Sequence, residues 1–137
     1  MPRTRLTVLI IGLMLTALLS GCSKTPPELS KEEQVQQRAQ AYLDALMAQD
    51  LAAALSYTSP AFRQRVTEPN AYINYIQGVG MWRAAEVESV ECRERSCDVE
   101  VAIRYMNPML GTELQSAIRH QWIQTADDWW IFHAPRN

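Results

Sequence analysis

Three cysteines, two histidines and a few carboxylates and aromatics hold the chemistry available to this 137-residue chain. Cys92 and Cys97 flank Arg-Glu-Arg-Ser, a hydrophilic stretch suited to a hairpin loop. Directly opposed across two strands, their Cα atoms lie about 5 Å apart, within disulfide range. A metal site is the sharper alternative, but two thiols without nearby histidine spacing do not complete one. A redox pair more commonly takes the form Cys-x-x-Cys at a helix start. A structural disulfide is expected, and no cofactor or metal.

That opposition also sets a register. It places Val90 against Val99 and Ala84 against Tyr105, as core-facing pairs, but Glu88 against Val101 and Glu86 against Ile103. Unpaired carboxylates on an apolar face are costly. A β-bulge near Ser89 would turn Val87 inward and return both glutamates to solvent. The alternative is that Glu86 and Glu88 line a polar cavity with Tyr105 and His120. His120 reads first as a hydrogen-bonded core residue and His133 as ordinary surface. Trp129 and Trp130 are adjacent on a strand, so they point to opposite faces. One of them is exposed or covered by a partner, which makes the pair a candidate interface.

The elements that position these residues follow from periodicity. Ser30-Lys31-Glu32-Glu33 has capping-box form and opens a helix whose Val35, Ala39, Tyr42, Leu43, Leu46 and Met47 share one face. Asp50 caps a second short helix, and Ser59-Pro60 starts a third. Pro69-Asn70 repeats the pattern before a helical stretch over 71–77, in which Tyr72, Ile73 and Ile76 pack and which Gly78 and Gly80 end. Beyond Gly80 the period becomes two. Val99, Val101, Ile103 and Tyr105 alternate with polar residues, and Leu114, Ser116, Ile118, His120 and Trp122 form one face of a long strand. Asp127-Asp128 makes a tight turn, after which Trp129 to His133 pairs back. Helices followed by a meandering antiparallel sheet predict an α+β domain with the helices on one face.

The chain carries a net charge of −2. From Cys22 onward it has 116 residues, with 11 basic against 15 acidic side chains. This is enough for one domain. A mildly acidic domain lacks the field that draws phosphate backbones, so nucleic acid is not an expected partner. Adhesion of the domain surface itself to anionic lipid is disfavoured for the same reason.

Arg3 and Arg5 precede an uncharged apolar run from Leu6 to Leu19, the layout of a secretory signal and short for a spanning helix. Leu19-Ser20-Gly21-Cys22 resembles the lipobox of bacterial lipoprotein precursors residue for residue. The resemblance implies diacylglycerol on the Cys22 thiol, cleavage before it, and acylation of the new amine. Two or three acyl chains anchor firmly where one would not. The expected organisation is a signal peptide over 1–21, a lipidated tether over 22–29 containing Pro26-Pro27, and a domain over 30–137. The partner at the N-terminus is then a membrane, and the domain faces the periplasm. Ser23 after the cysteine points to the outer membrane over the inner under the enteric sorting rule. The seven residues 23–29, at 3.1 Å each, reach only about 20 Å, keeping the domain near that surface.

The segments Tyr42-Leu-Asp-Ala-Leu-Met-Ala-Gln-Asp50 and Ala53-Ala-Leu-Ser-Tyr-Thr-Ser-Pro-Ala-Phe-Arg63 resemble the opening of nuclear-transport-factor-2-like domains. Gln121-Trp-Ile-Gln-Thr-Ala-Asp-Asp-Trp-Trp-Ile-Phe132 is similar to that family's last hairpin. The resemblance, over about Ser30 to His133, implies a cone with a cavity between helices and curved sheet, often dimeric through the sheet. Enzymes of the family need an acid base in that cavity with an oxyanion holder. The leading expectation here is non-catalytic: an envelope module that binds a protein partner or small ligand. The alternatives are a cavity enzyme of isomerase, dehydratase or cyclase type using an acid and His120, and a self-associating homodimeric module.

Overall fold

The computed structural model describes residues 27–134. The expected signal peptide, Cys22 and the start of the expected tether lie outside them. Helix α1, Lys31–Met47, opens with both halves of the capping box. Ser30 Oγ accepts from the Glu33 amide at 3.2 Å, and Glu33 Oε2 accepts from the Ser30 amide at 2.8 Å. Its buried face is Val35, Ala39, Tyr42, Leu43 and Leu46. Gln49 turns the chain with a positive φ of 58°. Asp50 Oδ1 then caps α2, Leu51–Ser56, and Ser59 Oγ caps α3, Pro60–Arg65.

The expected helix over 71–77 is shorter than its sequence suggests. Only Pro69–Tyr72 is α-helical (α4), followed by a 3₁₀ turn at Ile73–Tyr75. Glu68, ahead of Pro69, supplies no side-chain cap, and the backbone leaves helical geometry at Ile76. Ile73 and Ile76 therefore do not share a face: Ile76 is buried, while Ile73 is 44% exposed. A second 3₁₀ turn, Val79–Met81, leads into the sheet.

Strands β1 (Trp82–Cys92), β2 (Ser96–Asn107), β3 (Thr112–Thr125) and β4 (Asp128–Ile131) form one antiparallel meander in sequential order. This is the α+β architecture expected, with helices on one face and the core between. Among the described residues no helix is long and apolar enough to cross a membrane. The anticipated bulge is present: the β1–β2 register shifts between Val87 and Ser89, so Val87 packs inward opposite Val101, and Glu86 and Glu88 are exposed. A second shift between Trp82 and Ala84 corrects the expected pairing of Ala84 with Tyr105. Trp82 takes that place, Ala84 faces Arg104, and Ala85 enters the core.

A glutamine secures the bulged segment. Gln40 Oε1 accepts from the Val87 amide at 3.0 Å, and its Nε2 donates to Asp44 Oδ1 at 2.9 Å. At the opposite edge, the Ile131 amide donates to Tyr57 O at 3.0 Å, and Thr58 bridges Ile131 in parallel. The link from α2 to α3 thus covers an edge that would otherwise be open to another chain. The last hairpin turns at Ala126 and Asp127, both with positive φ, one residue earlier than the sequence indicated.

Cys92 and Cys97 face each other across β1 and β2 and are disulfide-bonded. Closing so small a loop should contribute on the order of 2 kcal/mol. Urea unfolding of the oxidised protein and of protein held in dithiothreitol should differ by that amount. Coincident curves would remove the bond from the account of stability.

Candidate functional site

The cavity lies between Tyr42 and Leu46 of α1 and residues 118–121 of β3, closed at one side by the chain after β4. Tyr42 comes from the buried face of α1, His120 from the core-facing row of β3, and His133 from just past β4. These three line a cavity of about 230 Å³ together with Tyr75, Trp82 and Phe132. That is small beside the roughly 300–1,000 Å³ of ordinary ligand pockets, so only a compact molecule fits.

A hydrogen-bonded chain runs beside it. Tyr42 Oη lies 3.0 Å from Tyr72 Oη, which lies 2.7 Å from His133 Nε2. Burial raises the pKa of both phenols, and for Tyr72 the neighbouring Tyr42 raises it further. Both are neutral hydroxyls at physiological pH. The chain is satisfied when Tyr42 donates to Tyr72 and Tyr72 donates to Nε2 of a neutral His133. It is equally satisfied in reverse when His133 carries a proton on Nε2. The direction of the hydrogen bond between the tyrosines therefore follows whether Nε2 of His133 bears hydrogen.

His120 is placed differently. Its ring lies 5.9 Å from that of Tyr42, edge to face, and its Nδ1 is buried with no hydrogen-bond partner among the described residues. Burial, with the proximity of His133 second, lowers its pKa to about 4. It is a neutral imidazole at pH 7 with one nitrogen unused. Two indole nitrogens, of Trp122 and Trp129, are also buried without partners. For a tryptophan, burying 150–250 Å² of ring at 25 cal/mol per Å² gives about 4–6 kcal/mol, which exceeds the roughly 1–3 kcal/mol cost of an unpaired N–H. An imidazole has far less apolar surface to offset that cost. Of the three nitrogens, that of His120 belongs to a residue on the cavity wall.

The structure separates several residues grouped by sequence. Glu86 and Glu88 are exposed, because the bulge moves them off the inner face, and they do not line the cavity. Tyr105 is partly buried against the core, opposite Trp82, and is also absent from the wall. The described lining residues include no carboxylate, so the expected partnership of an acid with His120 is not assembled. His133, read as surface, instead bonds Tyr72 across 61 positions. Sequence reasoning missed this link because Tyr72 and His133 meet only through the packing of α4 against the end of the sheet. Both tryptophans of the final hairpin are covered by this chain itself. Trp129 is in the core, and the Trp130 ring has the Arg38 and Arg63 guanidiniums 4.9 and 5.0 Å from its centroid. Arg38 also donates to Trp129 O at 2.5 Å and pairs with Asp128 at 3.4 Å, tying α1 to β4.

Comparison with solved structures finds fold-level likeness. A SEC-C-motif-containing protein from Psychrobacter arcticus superposes with a TM-score of 0.54 at 13% identity, covering 77% of this chain and 62% of that one. The chain thus spans less than two thirds of that protein. A SEC-C-motif-containing protein from Rhodopseudomonas palustris gives 0.47 at 18% identity, covering 74% of each chain. An NTF2-like protein from Burkholderia thailandensis gives 0.48 at 13% identity, covering 72% of this chain and 89% of that one. No curated protein sequence matches. The model of the family described as Domain of unknown function (DUF4864) matches residues 28–132, and the chain belongs to that family.

Proposed function

We propose that this protein is a lipid-anchored binding module of the bacterial envelope, tethered through Cys22 and facing the periplasm, whose helix–sheet cavity holds a small molecule by hydrogen bonds. The unused, buried Nδ1 of His120 on that cavity's wall carries the binding reading. It offers a neutral imidazole that donates or accepts one bond, beside the aromatic rings of Tyr42, Tyr75, Trp82 and Phe132. Retention of a compact ligand by hydrogen bonding is the chemistry these residues support.

Support for the location comes from Leu19-Ser20-Gly21-Cys22 after its apolar run, and from the Cys92–Cys97 disulfide, a bond that persists in oxidising compartments. Ser23 favours the outer membrane. The outer face of the sheet carries Glu86, Glu100, Arg104, Glu113 and Arg119, all exposed, and offers a second copy little apolar surface to bury.

Full-length protein expressed in a Gram-negative host and fed radioactive palmitate should be labelled, and Cys22→Ala should not. An unlabelled wild type would remove the anchor from the proposal. Native mass spectrometry of the wild type released from those membranes should show a small-molecule adduct that His120→Leu loses. An adduct that persists in the variant, or none in the wild type, would contradict the binding role.

Acid sensitivity gives a separate check. Because folding lowers the His120 pKa from 6.5 to about 4, the unfolded chain binds more protons within that window. The stability of the neutral ring is intact above pH 6.5 and is lost as pH falls toward 4. Between pH 7 and 5, wild type should lose roughly 1 kcal/mol more in urea unfolding than His120→Leu, after discounting for the ring's remaining solvent access. Parallel losses would mean that His120 titrates normally.

A further inference from the structure

A second, larger concavity of about 580 Å³ lies between the end of α1 and the turns that enter β1. Its walls combine the apolar side chains of Leu46, Met47, Leu51, Ile73, Val79 and Trp82 with Gln49, Gly80 and Arg83. Arg83 is the charged residue on this wall among those described, and it forms no ion pair or hydrogen bond with any described residue. In a domain with an acidic balance, this places an unneutralised guanidinium at the rim of an apolar groove, with no carboxylate lining it.

The surroundings are apolar too. Ile73 and Met81 are 44% and 45% exposed beside the groove. The β2–β3 turn carries Met109 and Leu110, 93% and 67% exposed. Asn107 Oδ1 accepts from the amides of both residues at 2.9 and 3.1 Å. Trp82 pairs with Tyr105 near the end of β2, so groove and turn share one end of the sheet. The start of α1 is held at the other end, where Lys31 Nζ donates to Glu94 O at 3.0 Å. The length of β2 separates these ends by about 35 Å at 3.3 Å per residue. The groove therefore lies at the end of the sheet away from where the chain enters the domain.

We propose that this groove binds a single-chain anionic amphiphile, a long-chain fatty carboxylate, with its head on Arg83 and its tail along Leu46, Leu51 and Val79. Charge complementarity selects the head. A guanidinium presents parallel N–H donors that match a carboxylate's two oxygens, and the bond is charge-assisted. The apolar walls and the lack of other charge select the tail. A peptide would need main-chain partners along the groove, and a plain alkane would leave Arg83 unused.

Full-length protein in phosphatidylcholine vesicles, irradiated with a diazirine-bearing palmitate, provides the test. Crosslinks should fall on the peptides that contain Met47–Leu51 and Ile73–Val79. Unlabelled palmitate should displace them, and hexadecanol should not. Arg83→Gln, whose unfolding should match the wild type, should reduce groove labelling about tenfold, the effect of losing a charge-assisted bond. Leu51→Trp, which fills the groove and leaves Arg83 in place, should abolish it. Labelling unchanged in Arg83→Gln, equal displacement by hexadecanol, or crosslinks concentrated on Met109 and Leu110 would each overturn the assignment.

Discussion

One buried tyrosine joins the parts of this domain. Tyr42 is fully buried at the middle of α1, and its ring meets Tyr57, His120 and Trp122 edge to face at about 6 Å. Its hydroxyl reaches Tyr72. The ring thus locks the helix against His120 and Trp122 of β3 while the oxygen faces a polar chain inside an apolar core. A buried hydroxyl without a partner costs about 1–3 kcal/mol, so the position of Tyr72, and through it of α4 and His133, is tied to α1. Fold and site are held by the same side chain.

Much of the fold was legible because it rests on local chemistry. Ser30, Asp50 and Ser59 each cap the helix their spacing indicates, and the alternation from Val99 to Tyr105 marks a half-buried strand. Two opposed cysteines fixed the β1–β2 register. The apolar mismatch at Glu86 and Glu88 was enough to require the bulge that the structure contains. The second shift, near Trp82, left no such conflict, because Ala84 and Ala85 are equally acceptable inside.

The site was less legible. Its elements are a phenol pair 30 positions apart and a histidine 61 positions from its partner, and no periodicity encodes such meetings. Tyr42 and Tyr72 look like core residues in sequence because their rings are core. Only the third dimension shows that their oxygens converge. The tryptophan pair erred in the opposite sense. Alternation correctly sent Trp130 away from the core, but the arginines that cover it lie on α1 and α3, which strand pattern does not report.

The Tyr42–Tyr72 contact couples the helix to the polar chain, and a double-mutant cycle in the full chain measures it. Tyr42→Phe and Tyr72→Phe each keep the ring and delete an oxygen. Urea unfolding of both single variants and the double should give a coupling of about 1 kcal/mol, the double losing less than the summed singles. Simple additivity would mean that the two hydroxyls do not meet, and the polar chain beside the cavity would have no structural basis.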